Sequence, residues 1–442
     1  MPRSTRRSLL AVALVAAASG TAAGVLVAAT SARSAAAVRS RAAADTSDAA
    51  TAGAPELVRG ERLAWTHAGR GPHVSISAPA VAARADGTPL LAWIAAEGEV
   101  NHLWVVAPGE KDAKPVRVDP PDLPVDALHQ APALAIGPQG EVYVTWSSVK
   151  PKPEGTLFAS DLRLSRSLDG GRTFEPPLRV NEDRPISHSF DDLAVAGDGD
   201  VLVSWIDSRD GWNKAGTYVA RVGDRGRRVD ATEQLGSETC VCCRVAVGAR
   251  GKRAAVLWRK DFPDQVRDMV LAASDDDGRT FTPAVRVNED RWKMPACPHR
   301  GGAVGIDARG KIYAAWYTEG REGRPALLFA TSTDGKTFGT PQRLDRSEGS
   351  IPDHVRLGVT ADGRVLVVWE DSTAVRRRIV ARASTDGGET FGPLEQLSSA
   401  MKAWSPALAV TSAGGFVVAW NEEEFPVTRS VLQPIEVRGA RP

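Results

Sequence analysis

Ser167-Leu168-Asp169-Gly170-Gly171-Arg172-Thr173-Phe174 decides the fold, because the chain writes it again. It returns as Ser274-Asp275-Asp276-Asp277-Gly278-Arg279-Thr280-Phe281 and as Ser384-Thr385-Asp386-Gly387-Gly388-Glu389-Thr390-Phe391. A shorter form is Ser332-Thr333-Asp334-Gly335-Lys336-Thr337-Phe338. The chemistry of each copy is that of a tight turn. Asp and Ser oxygens can accept backbone N–H bonds, Gly tolerates positive φ, and the closing Phe can plug an apolar layer. These Asp residues are therefore read as turn formers, not as calcium ligands or catalytic carboxylates.

Working outward, an apolar strand precedes the turn (Met269-Val270-Leu271-Ala272-Ala273) and another follows it (Ala284-Val285-Arg286-Val287). A larger unit encloses them, marked by Trp93, Trp146, Trp205, Trp258, Trp316, Trp369 and Trp420, with spacings between 51 (369 to 420) and 59 (146 to 205). Each unit reads as four short strands, A to D, with the Trp on B and turns such as Pro138-Gln139-Gly140 between A and B. Four-stranded units of this length cannot bury both faces alone, and stacking in a ring does so. The expectation is an all-β fold, a β-propeller of seven four-stranded blades, with six as the alternative. The last unit supplies three strands, and Leu63-Ala64-Trp65 can add the fourth, so N- and C-terminal strands would close the ring.

The repeated turn resembles the Asp-box (BNR) repeat of the sialidase-like superfamily, over residues 75 to 425. That resemblance implies a propeller scaffold. It also implies a candidate chemistry: three Arg clamping a substrate carboxylate, a Tyr nucleophile activated by Glu, and an Asp acid/base. Arg244, Arg300 and Arg356 fit the clamp, and Asp191, Asp192 and Asp353 are the acids on the same rim. Tyr317-Thr318-Glu319 is the Tyr/Glu pair, since Tyr143 and Tyr313 read as core. The Arg-Ile-Pro phrase that opens sialidase catalytic domains is absent near the first repeat, so the likeness is one of scaffold.

Topology puts the B–C loops and D-to-A connections on one rim, where each A strand begins. His129, His188 and His299 each lie 17 residues before a marker Trp (146, 205 and 316), and His354 lies 15 before Trp369. All four cysteines of the chain share that zone: Cys240, Cys242 and Cys243 before Trp258, and Cys297 before Trp316. Thiolate and imidazole together suit copper or zinc. The expected ligands are Cys240, Cys242, Cys243, Cys297 and His299, with His188 and His354 nearby and Met294 as a further soft donor. His129 joins the three arginines as a ligand-binding candidate. Structural disulfides and a redox-active thiol are the competing readings of the same cysteines. The functional expectation is thus a propeller with an axial Cys/His centre. The alternatives are a sialidase-like glycoside hydrolase acting on acidic sugars, and a non-enzymatic glycan- or protein-binding scaffold. Catalytic residues for the first reading are not assigned.

The 442 residues are 43% hydrophobic and 25% charged with a net charge of +1, which gives no basic surplus for nucleic acid. Residues 1–37 read as an export signal: Arg6-Arg7 in a twin-arginine-like phrase, an apolar run from Leu9, and small residues for cleavage. An uncleaved membrane anchor is the alternative. Residues 38–57 read as a disordered spacer and 58–438 as one propeller domain. The mature protein is expected to be a monomer in the periplasm or outside the cell, without a membrane span, taking a small-molecule or glycan ligand.

Overall fold

The structure is a computed structural model that describes residues 54–67, 76–126, 131–151, 154, 158–211, 214–320, 323–345, 349–424 and 427–439. The expected export signal and most of the spacer lie outside them. Among the described residues no helix is long and apolar enough to cross a membrane.

The fold is all-β. Five antiparallel sheets of four strands follow one another along the chain, each running in order from its first strand to its last. The first strands of these sheets are Ala80–Ala83, Ala133–Ile136, His188–Val195, Ala246–Arg250 and Gly302–Ile306. A sixth set comprises Ile351–Val359, Val365–Ser372, Arg377–Ser384 and Glu395–Gln396. A seventh comprises Lys402–Val410, Phe416–Glu424 and Val427–Arg438. A single parallel pair, Arg377 with Lys402, links these last two sets. The seventh set takes its outer edge from the other end of the chain. Glu56–Arg59 pairs with Ile435 to Arg438, and Leu63–Thr66 pairs with Arg429 to Leu432. The strand at Glu56 begins inside the segment expected to be a spacer.

The first strands touch one another in chain order, and Lys402–Val410 touches Ala80–Ala83. Between neighbouring sheets the facing residues form apolar layers. Trp205 of the third sheet packs with Leu162 and Leu164 of the second, and Trp316 of the fifth with Leu257 and Leu271 of the fourth. Trp146, Trp205, Trp258, Trp316, Trp369 and Trp420 are all essentially inaccessible, so the Trp period in the sequence is the period of these layers.

The repeated turns close the third and fourth strands of their sheets by one hydrogen-bond scheme. Asp276 Oδ1 accepts from Ser274 Oγ at 2.7 Å, Arg279 N at 3.0 Å and Thr280 N at 2.9 Å, while Thr280 Oγ1 donates to Oδ2 at 2.7 Å. Asp169 does the same with Ser167, Arg172 and Thr173. The following Phe reaches into the layer shared with the preceding sheet: Phe391 meets Phe329 edge-on at 4.9 Å. A Cβ on Gly388, at φ 82°, would meet that same Phe329 ring at 2.7 Å, so this turn has room only for glycine.

Partial burial opposes the charge on Asp276, but its hydrogen bonds outweigh that and hold the carboxyl down at about 2. Its contribution to stability is therefore complete above its ordinary 3.8 and is lost as pH falls through about 2. Replacing Asp276 with Ala passes these exposed donors to water and is expected to cost about 1 kcal/mol at neutral pH. A urea titration of both proteins checks this, and the gap should shrink below pH 3.

Candidate functional site

The start of several first strands is bulged. Register shifts fall between Ser189 and Asp192, between Asp353 and Arg356, and between Trp404 and Ala407. At each, a non-glycine residue sits at positive φ: Phe190 at 56°, His354 at 50° and Ser405 at 53°. Each lies 15 residues before its marker Trp (205, 369 and 420). Bulges of this kind re-aim side chains, and strained backbone is retained where the surroundings over-determine it. Here they turn residues into a cavity of about 790 Å³ whose wall includes residues from all seven sets.

Arg244, Arg300 and Arg356 all line this cavity. Arg244 is fixed by backbone: Nε donates to Asp191 O at 2.6 Å and Nη2 to Ala131 O at 2.8 Å, which ties three consecutive sheets together. Arg300 Nη2 donates to Asp353 Oδ2 at 3.0 Å, and its guanidinium lies 4.3 Å over the Tyr317 ring. Arg356 has the sparsest set of partners, with Nη1 donating to its neighbour's carbonyl, Val355 O, at 3.0 Å. Burial, and then the like charge of Arg244, lower its pKa to about 10 against the pull of Asp192 and Asp353.

The acids differ in state. Asp191 is fully buried, accepts from Thr145 Oγ1 at 2.5 Å, and is pushed upward by burial against the charge of Arg244. Asp192 accepts from Val247 N at 2.9 Å, lines the cavity, and is also raised by burial, with Arg244 and Arg356 opposing. Tyr317 donates from its hydroxyl to Glu319 Oε1 at 2.6 Å; burial, then that hydrogen bond, raise its pKa. His354 Nδ1 is 3.2 Å from Glu370 Oε2. Burial disfavours the imidazolium, but the Glu370 bond and the charges of Asp353 and Glu370 prevail over that and over Arg356, so its pKa is raised.

The cysteines form a second cluster. Cys240, Cys242 and Cys243 are buried with their sulfurs all within 4.8 Å of one another, the one group of metal-ligand type among the described residues. Cys240 Sγ lies 3.1 Å from Cys243 Sγ and 3.8 Å from Cys242 Sγ, and all four cysteines of the chain are free thiols. Hydrogen bonds from Cys242 and Cys243, then the charges of Arg267 and Arg259, pull the Cys240 thiol toward its anion against burial. Burial pushes Cys243 the other way.

The wider ligand set expected from spacing does not assemble. Cys297 and His299 are exposed and outside the thiol group; His299 stands 6.4 Å from the Phe190 ring on the cavity wall. His188 is fully buried between the second and third sheets, with Nδ1 2.6 Å from Ser160 O and Nε2 3.5 Å from Asp207 Oδ2. Burial lowers its pKa, and it is a packing residue. His354 faces Glu370 in the cavity. His129 lies outside the described residues. Met294 takes part through its backbone, donating to Gln265 O and accepting from Arg267 Nε.

Sequence reasoning passed over Glu370, Arg259 and Arg267. A signal existed for the first two. The residue after the marker Trp is Arg259, Tyr317 and Glu370 in three consecutive sets. A charge there, inside a buried strand, is costly unless it is partnered, and so points to a site.

No family model and no curated protein matches the chain. Solved structures do. A polysaccharide lyase of family PL25, an ulvan lyase, superposes with a TM-score of 0.53 at 11% identity over 84% of this chain and 95% of its own. A protein of unknown function from Dyadobacter fermentans gives 0.51 at 15% identity, over 86% and 99%. At such identities the likeness shows the fold alone, a β-propeller.

Proposed function

We propose that the chain is an exported seven-bladed β-propeller, closed by its terminal strands, that takes an acidic sugar by its carboxylate in the axial cavity and acts on it as a glycoside hydrolase. The observation that carries this reading is the convergence of Arg244, Arg300 and Arg356 on one cavity that is large enough for a sugar ligand and in which, among the described residues, the Arg356 guanidinium has a single hydrogen-bond acceptor. An anion seated there would relieve the repulsion between Arg244 and Arg356 and supply the planar acceptor that guanidinium recognises.

Roles follow from placement. Tyr317 would attack the anomeric carbon as its proton passes to Glu319, while Asp192, whose pKa burial raises against the charges of Arg244 and Arg356, would serve as the acid that gives a proton to the departing glycosidic oxygen. Water would then release the sugar from Tyr317 in the reverse sense. The resemblance of the turns to the Asp-box repeat and the ulvan lyase likeness both support the propeller beneath this scheme.

Titration calorimetry with sialylated and uronate-containing oligosaccharides against neutral ones tests the reading. Binding and reducing-end release are expected from acidic oligosaccharides alone. An unsaturated product would indicate β-elimination instead, and equal binding of neutral sugars would remove the carboxylate clamp. A pH effect is also expected. His354 faces Glu370, Asp353 and Arg356, and its raised pKa means that its positive charge is complete below the ordinary 6.5 and is lost as pH rises through the raised value. Affinity for an acidic oligosaccharide should fall over that interval, and His354→Gln should flatten the curve.

A further inference from the structure

Cys240, Cys242 and Cys243 fold onto one another through a short turn. Cys243 N donates to Cys240 O at 3.2 Å, and Cys240 N donates to Arg259 O in the neighbouring strand at 2.9 Å. We propose that these three thiols bind one Cu(I) ion in three-coordinate, sulfur-only ligation, at a site that opens to the axial cavity through Cys242. The inference does not rest on the carbohydrate reading.

Geometry supports it first. Three sulfurs around one ion at about 2.3 Å stand about 4 Å apart. Two of the present separations from Cys240 are 3.1 and 3.8 Å, and the third pair stays within 4.8 Å, so small side-chain adjustments suffice. Donor type comes second. No imidazole or carboxylate among the described residues joins the group, which disfavours hard cations and leaves zinc one ligand short of its structural tetrahedron. Third, the surroundings suit anionic sulfur. Arg267 Nη1 is 3.0 Å from Cys240 Sγ, and the Asp261 carboxylate, 3.3 Å from Arg267, offsets part of that charge. Phe190 and Val241 pack on the sulfurs and keep the site dry. Access comes fourth: Cys242 is part of the cavity wall, so an ion has a route in. Binding changes no oxidation state; the protons remaining on the thiols leave to solvent as Cu–S bonds form.

The test uses the full chain, fully reduced and handled without oxygen, titrated with Cu(I) against a chromophoric Cu(I) chelator. One Cu(I) per chain is expected, with an ultraviolet thiolate-to-copper band, and copper X-ray absorption should give a shell of three sulfurs. Cys297→Ser should bind as the parent does. Cys240→Ser should lose more than the roughly 100-fold that removal of an outer partner costs. Because the absorption measurement needs no variant, a misfolded Cys240→Ser protein would not blunt the test. Failure of the reduced protein to take up Cu(I), nitrogen or oxygen in the copper shell, displacement of Cu(I) by equimolar Zn(II), or an equal loss in Cys297→Ser would each overturn the proposal. Loss of acidic-sugar binding, by contrast, would leave it standing.

Discussion

Arg356→Met should abolish most of the affinity for an acidic oligosaccharide while leaving the empty protein as stable as the parent, or more so. Removing one partner of a desolvated charge pair costs about 2–5 kcal/mol, which is a loss between about 30-fold and several thousandfold. The stability half of the prediction comes from what Arg356 does without a ligand. Among the described residues it donates to a single neighbouring carbonyl, and burial and the repulsion of Arg244 outweigh the attraction of Asp192 and Asp353. Met keeps the aliphatic stem that packs and drops the charge that has no full partner. Residues held in this way for a ligand commonly lower the stability of the protein that carries them. Calorimetry and a thermal melt on the same samples decide the matter. A lower melting temperature with unchanged affinity would make Arg356 a structural residue and leave the cavity without its principal anion contact.

The parts of this molecule written in local chemistry could be read from the chain. The Ser274-to-Phe281 turn is made by donors and acceptors within a few residues of one another, so its form follows from its letters. The Trp period was legible because every unit solves the same burial problem at the same place. Leu63-Ala64-Trp65 was recognisable as an outer strand, whereas Glu56–Arg59 was not. Only Leu57 of its four residues is buried, which leaves no apolar alternation to detect. The candidate site was legible in height but not in direction. Counting back from each Trp brought Arg244, Arg300, Arg356, His299 and His354 to one rim, and all five line the cavity. The same count placed His188 there too. Yet alternate residues of a strand face opposite sides, and a bulge changes which side, so His188 points between sheets. The bulges were themselves invisible, because neither Phe190 nor Ser405 is a residue type that announces positive φ, and His354 alone is too weak a sign. Cys240, Cys242 and Cys243 meet because one turn holds them, while Cys297 depends on the path of a separate connection that leaves it exposed.

Arg259→Met should damage both candidate sites at once, which no other single change is expected to do. Arg259 is wholly buried on the strand that carries Trp258, and each arm of its guanidinium ends on a backbone carbonyl. Nε donates to Arg300 O at 3.0 Å, Nη1 to Arg267 O at 2.8 Å, and Nη2 to Tyr317 O at 2.7 Å, with the Trp292 ring 4.8 Å away. Two of those carbonyls belong to residues of the proposed sugar site and the third to the arginine that touches Cys240. The planar fork therefore sets the spacing between Arg300 and Tyr317 on one side and Arg267 on the other. Lysine cannot reproduce a three-way fork, so Arg259→Lys should be nearly as harmful as Arg259→Met. The stranded carbonyls make the stability cost on the order of 3 kcal/mol, visible as a lower urea midpoint. The diagnostic result lies in the residual folded protein: affinity for an acidic oligosaccharide and for Cu(I) should both fall, whereas Arg356→Met lowers only the first and Cys240→Ser only the second. If Arg259→Met merely destabilised the chain and left both affinities intact, the two sites would be neighbours on one wall rather than parts hung on one buried cation.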